Sequence, residues 1–112
     1  MHRYWLFLDD ERHPADWWFE EAPIHIARSY DEFKAELEMY GCPEYISFDH
    51  DLGDASKSGM ECAHLFVNKI LDNELQMDPK FSFSIHSQNP VGAENIFGLI
   101  SQFMIHHSLS NP

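Results

Sequence analysis

Positive charge is what this sequence has least of. Seven Lys and Arg stand against nineteen Asp and Glu in 112 residues, a formal charge of −12. A broad electrostatic grip on nucleic acid needs a basic face, so an extended nucleic-acid surface is excluded. A nucleotide or an RNA end stays open as a substrate, because a bound cation would dominate the local charge. Cysteine is nearly absent: only Cys42 and Cys62 occur, neither in a ligand-spaced motif, as in proteins of a reducing compartment. There is no long apolar run and no hydrophobic signal region at the N-terminus, so no membrane partner is expected and a soluble, cytoplasmic protein is. Internal repeats and low-complexity segments are missing as well.

What remains is the composition of a packed globule, 44% hydrophobic and 14% aromatic, at a length that suits one domain over residues 1–112. The apolar run from about Arg3 to Leu8 scarcely alternates and reads as a central parallel strand covered on both faces. The stretch from Asp9 to Pro23 reads as a packed loop with room for one helical turn, its Trp17-Trp18 pair lying over the edge of the core. Ile24 to Ala27 reads as a short second strand. Ser29 and Glu32 have capping-box spacing and open a helix with Phe33, Leu37 and Tyr40 on one face, stopped by Gly41 and Pro43. Tyr45 to Phe48 is a third strand. Ser58 and Glu61 repeat the capping spacing before a helix expected to end at Asp78-Pro79. Phe81 to Ile85 alternates apolar with small polar residues, as at a sheet edge. Asn89 as N-cap and Pro90 at the first helical position open a last helix carrying Ile96, Leu99, Ile100, Phe103 and Met104 at helical spacing. The order β, loop, β, α, β, α, β, α predicts an α/β fold: an open parallel sheet of about four strands with flanking helices.

In such a sheet right-handed crossovers bring every strand's carboxyl end to one rim. Three segments would then converge there: Asp9-Asp10, Asp49-His50-Asp51 and His86-Ser87. Clustered carboxylates are costly unless something compensates them. Asp9, Asp10, Asp49 and Asp51 are therefore the candidate metal ligands. Oxygen donors point to Mg²⁺, with Mn²⁺ compatible and the histidines leaving room for a softer ion. The last helix starts beside the rim, where free amides suit an anion; Ser87, Asn89 and Arg12 are the candidate phosphate-binding residues. His50 and His86 are the candidates for acid and base chemistry near neutral pH, with Asp49 as the third catalytic candidate.

Leu8-Asp9-Asp10-Glu11-Arg12-His13-Pro14, Ile46-Ser47-Phe48-Asp49-His50-Asp51-Leu52-Gly53 and His86-Ser87-Gln88-Asn89-Pro90-Val91-Gly92-Ala93-Glu94-Asn95-Ile96 together resemble the cyclic-phosphate-processing receiver-like domains, relatives of response-regulator receivers. The resemblance implies a receiver-like (flavodoxin-like) fold. It also implies that Asp9 and Asp10 match the receivers' Mg²⁺-binding acidic pair, and that Asp49 matches their phospho-acceptor. Ser87, or His86 beside it, falls near their hydroxyl residue after the fourth strand. His50 and His86 match the variant family and not ordinary receivers. The receivers' fifth-strand lysine has no counterpart, and the connection between the first two strands is shorter than a full helix needs. The expected function is a metal-dependent phosphoesterase-like domain acting on cyclic phosphates or related small phosphoesters, a nucleotide or an RNA-end 2′,3′-cyclic phosphate among them. The alternative is a non-enzymatic receiver-like signalling or binding module, phospho-accepting at Asp49. The oligomeric state is left open.

Overall fold

The structure is a computed structural model, and it describes residues 3–53 and 57–110. Eight elements follow in chain order: β1 (Trp5–Leu8), α1 (Trp18–Glu21), β2 (Ile24–Ala27), α2 (Tyr30–Tyr40), β3 (Tyr45–Phe48), α3 (Gly59–Leu71), β4 (Ser82–Ile85) and α4 (Pro90–Ser110). The four strands form one parallel sheet in the order β2-β1-β3-β4. This is the four-stranded, receiver-like arrangement the element order predicts, with β4 on an edge. Among the described residues no helix is long and apolar enough to cross a membrane.

Local chemistry accounts for most element ends. The Ser29 hydroxyl accepts from the Glu32 amide at 3.1 Å, and the Glu32 carboxylate reaches back to the Arg28 amide at 2.8 Å, one residue earlier than in the simple capping box. Gly41 ends α2 at φ 81°, its amide bonded to the Leu37 carbonyl. Ser58 caps α3 through the Met60 amide, and the Asn89 Oδ1 caps α4 through the Gly92 amide at 2.9 Å. The end of α3 departs from the sequence reading. The helix stops at Leu71, not at Asp78-Pro79, because Asn73 takes a left-handed conformation at φ 61°, which asparagine tolerates better than most residues. The Lys69 carbonyl then accepts from both Glu74 and Leu75, and the chain returns as an irregular segment to β4. β1 is also shorter than expected: Tyr4 lies outside it, fully buried, with its hydroxyl 2.6 Å from the Gly41 carbonyl.

The two faces of the sheet are covered unequally. Side chains alternate along a strand, so Leu6, Leu8, Ile46 and Phe48 share a face with Ala27. All five belong to the core cluster that includes Phe33 and Leu37 of α2, Phe66 of α3 and Ile96 and Ile100 of α4. All three long helices thus pack on one side. The other face shows Trp5 and Phe7 of β1, Tyr45 and Ser47 of β3 and Ser84 of β4. Its cover includes Trp18 of the β1–β2 connection, whose ring meets Trp5, Phe7 and Tyr45 edge-on at 5.5–5.6 Å. The expectation of a central parallel strand covered on both faces holds, with the second face covered more thinly: Phe7 is buried and Trp5 half-buried.

Candidate functional site

Parallel pairing brings the carboxyl ends of β1, β3 and β4 to one rim, and the backbone continues the ladder just past them: the Asp49 amide bonds to Leu8 O and the His86 amide to Phe48 O. Asp9, Asp49 and His86 are consequently held side by side. One ligand-capable atom from each lies within 4.8 Å of the other two, a possible metal site. Asp9 is fully buried and Asp49 is 4% exposed, so this is an interior cluster opening on the rim and not a patch of surface acids.

Asp9 is heavily supported. Its Oδ1 accepts from the Glu11 and Arg12 amides at 3.0 and 2.9 Å. Its Oδ2 lies 2.9 Å from His86 Nε2 and 3.3 Å from Arg12 Nε. Burial alone would raise its pKa, but the two amides and His86 outweigh that and hold the carboxyl below its ordinary value. Asp49 goes the other way: burial and then the Asp9 charge push it up, and His86 and Arg12 offset this only in part. Two acids at one site, driven apart in opposite directions, is the pattern that a shared cation or proton resolves. The donor set of two carboxylates and one imidazole fits a divalent ion, with no selection among ions beyond that chemistry.

His86 is fixed on three sides. Besides Asp9, its Nδ1 lies 2.6 Å from Ser47 Oγ, and its ring stacks on Phe7 with centroids 4.6 Å apart and planes 5° from parallel. Both ring nitrogens are thus engaged. His50 differs. Its Nδ1 meets Asp51 Oδ1 at 2.8 Å, and no hydrogen bond reaches its Nε2 among the described residues. The His50 ring lies against the first turn of α4, where a Cβ at Gly92 would come 2.4 Å from His50 Cγ; glycine there lets helix and imidazole touch. Asp51, exposed, is held below the ordinary carboxylate value by His50, with Asn89 adding to the effect.

The remaining expected residues are placed around this centre. Asp10, Asp49, Asp51 and Arg12, with Glu11, Gly53 and Gln88, line an open cleft of about 310 Å³. Asp10 and Asp51 therefore border the site without joining the three-residue cluster. Ser87 and Asn89 act first on their own loop: Ser87 Oγ accepts from the Asn89 amide at 3.0 Å, and Asn89 Oδ1 occupies the Gly92 amide. The start of α4 thus has fewer free donors for an anion than its sequence implied. Two further glycines shape the cleft. Gly53 has φ 73°, and a Cβ there would approach Asp10 Oδ2 to 2.9 Å; a Cβ at Gly59 would sit 1.8 Å from the Asp49 carbonyl oxygen. The thiols are chemically remote from this centre, burial pushing Cys42 up to about 11 and Cys62 up to about 12.

Residues not anticipated from sequence complete the site. Arg28, at the end of β2 on the same rim, donates from Nη1 to the carbonyls of Asp9 and Arg12 and so pins the β1–α1 loop. Ser47 supports His86 from below. The available signals were the position of Arg28 directly after a strand and a lone hydroxyl inside the apolar run Tyr45-Ile46-Ser47-Phe48.

The family model for the cyclic-phosphate processing receiver domain matches residues 4–102. The chain belongs to that family. It is a receiver-like domain associated with cyclic-phosphate processing, and the match spans β1 through most of α4, including all three rim segments. No curated protein and no solved structure matches the chain.

Proposed function

We propose that the rim is the active site of a metal-dependent phosphoesterase that opens cyclic phosphates or cleaves related small phosphoesters, 2′,3′-cyclic phosphates of nucleotides or RNA ends among them. The observation that carries this reading is that Asp49 of the Asp9–Asp49–His86 cluster lines the same cleft as Asp51, the carboxylate that orients the neighbouring His50 imidazole. A receiver acting only as a switch needs the acids but has no evident use for the second feature.

In this reading Asp9, Asp49 and His86 hold a divalent ion, Mg²⁺ or Mn²⁺, with Asp10 and Asp51 bordering it. When bound, the ion supplies polarisation of a phosphoryl oxygen and neutralisation of developing charge. The chain's own groups do the rest. Arg12, its side chain 46% exposed on the cleft wall, presents a guanidinium to phosphoryl oxygens. His50 donates Nδ1–H to Asp51, which leaves Nε2 as a proton acceptor. That nitrogen takes a proton from the attacking water as the new P–O bond forms. It returns the proton to the alkoxide oxygen released when the ring P–O bond breaks. His86, engaged at both nitrogens, fits the ion-holding role better than that of leaving-group acid. Ser87 retains a hydroxyl proton to donate to the phosphate, whereas Asn89 serves chiefly to fix the loop.

The test is turnover by purified protein with Mg²⁺ or Mn²⁺ on 2′,3′-cyclic nucleotides, cyclic-phosphate RNA ends and simple phosphodiesters. Ring opening to a phosphomonoester is expected, with His50→Ala and Asp49→Ala each losing roughly 100-fold or more. Absence of turnover on all three substrate classes with either ion sinks the proposal.

A further inference from the structure

A chain of hydroxyl groups runs across the sheet behind His86. Tyr45 Oη contacts Ser84 Oγ, Ser84 Oγ lies 3.4 Å from Ser47 Oγ, and Ser47 Oγ lies 2.6 Å from His86 Nδ1. On the far side His86 Nε2 reaches Asp9 Oδ2 at 2.9 Å. Strand register explains how this forms: Ser47 pairs with Ser84, and Tyr45 is two residues back on the same face. The chain sits on the sheet face that lacks the three long helices, and Ser47 itself is 2% exposed. A buried hydroxyl in an otherwise apolar strand needs a partner, and each of these serves its neighbour.

The chain meets a requirement that the ion-holding reading creates. With Nε2–H donating to Asp9, Nδ1 is an acceptor, and the hydroxyls donate in one direction, Tyr45 to Ser84 to Ser47 to His86. To ligate, Nε2 must instead offer its lone pair. One proton then leaves Nε2 for water and one passes to Nδ1 from Ser47, which is resupplied by Ser84, Ser84 by Tyr45 and Tyr45 by water, so the proton count of the ring and of each hydroxyl is unchanged. Ser47 turns from donor to acceptor, and Ser84 and Tyr45 rotate in turn. Hydroxyls can do this because each both donates and accepts. A carboxylate or a carbonyl in place of Ser47 would accept only and fix one tautomer. The Phe7 ring, stacked flat on the imidazole, keeps its plane constant while the proton pattern changes.

We propose that Ser47, backed by Ser84 and Tyr45, is a positioning residue that orients His86 and lets it pass between the two tautomers. The part concerning ligation rests on the function proposed above; the orientation of His86 does not. Removal of groups that orient a ligating histidine usually weakens metal binding 10–100-fold.

Two measurements on the full chain test this. Titration with MnCl₂ followed by calorimetry should show Ser47→Ala weakened by about 10–100-fold, Ser84→Ala and Tyr45→Phe weakened less, and Ser47→Thr, which keeps the hydroxyl, close to wild type. Histidine ¹⁵N shifts in metal-free protein should show His86 protonated at Nε2 in wild type, with the Nδ1 resonance moved toward that of an unbonded nitrogen in Ser47→Ala. Wild-type affinity together with unchanged His86 shifts in Ser47→Ala overturns the proposal. If wild type binds no Mn²⁺, the ion-holding reading fails, and the metal-free spectra still decide whether Ser47 orients His86. Should Ser47→Ala not fold, Tyr45→Phe and Ser84→Ala decide: a displaced His86 Nδ1 shift in both supports the chain, and no change in either refutes it.

Discussion

Replacing Asp49 by asparagine should make the metal-free protein more stable. The Asp49 carboxyl is nearly buried and shares a site with Asp9, their ligand atoms no more than 4.8 Å apart. At an effective dielectric of about 20, unit charges at that distance repel by about 3.5 kcal/mol. His86 and Arg12 offset part of this, which leaves a net gain of about 1–2 kcal/mol for the neutral isostere. In a domain of this size that is on the order of 5–10 °C in melting temperature. The pH dependence follows from the direction of the shift. A carboxyl raised in the folded state binds its proton more tightly there than in the unfolded chain, so stability falls as pH rises from the ordinary aspartate value through the raised one. Wild type and Asp49→Asn should therefore coincide at acid pH, diverge through that window and stay apart at neutral pH. The assay is urea or thermal unfolding in EDTA across pH, repeated with Mn²⁺. An ion at 100 times its dissociation constant stabilises the folded state by about 2.7 kcal/mol; wild type should gain this and the variant little, reversing their order. If Asp49→Asn is less stable than wild type in EDTA at neutral pH, the carboxylates are not held against mutual repulsion and the electrostatic argument for a cation fails.

Three further outcomes follow from the same geometry. Gly59→Ala should lower unfolding free energy by about 3 kcal/mol or more, since its Cβ would meet the Asp49 carbonyl at 1.8 Å; chemical denaturation reads this directly. Gly92→Ala should act differently, because its Cβ would meet the movable His50 ring at 2.4 Å; turnover should drop at least tenfold with a smaller loss of stability, seen by comparing kcat with the melting temperature. Incubation with acetyl phosphate and Mg²⁺ should leave the intact mass unchanged, since Asp49 is 4% exposed; an added phosphoryl group would favour the switch reading.

The order of elements was legible because each boundary carried a local signal. Ser29, Gly41, Pro43, Asn89 and Pro90 act within a few residues of themselves, and parallel pairing then fixes which strand ends share a rim. The residues that sequence did not supply act across the sheet. Ser47 is an ordinary serine until β4 places Ser84 and His86 beside it, 37 and 39 residues later. Nothing local marks the end of α3 at Leu71 either: the left-handed Asn73 sits inside a run, Asp72-Asn73-Glu74, that reads equally well as helix surface. His86 shows the limit most clearly. Its type and its position at the rim were readable, but its role depends on both ring nitrogens, and partners for those come from β1 and β3.

The two buried carboxylates are not equivalent, and the difference bears on how an ion would be held. Asp9 has two amides, an imidazole and a guanidinium around it, so its charge is stable with the site empty of cations or not. Among the described residues Asp49 has the Asp51 amide and the more distant charges of His86 and Arg12, and it is pushed toward its neutral form. A cation arriving at the rim would gain most from Asp49, whose ionisation it would favour, and least from Asp9, from which it must first draw His86 away. Asp9 thus keeps the loop after β1 and the His86 ring in place, and Asp49 would be the group that responds to a cation. Acid pH should separate the two. Asp9, lowered in the folded state, contributes stability that is present above the unfolded aspartate value and is lost only as pH falls through its own lower one. Mn²⁺ binding, limited by the proton on Asp49, should weaken at higher pH than that. A titration in which metal affinity and metal-free stability collapse together on acidification would show that one group governs both, and the division of roles would be wrong.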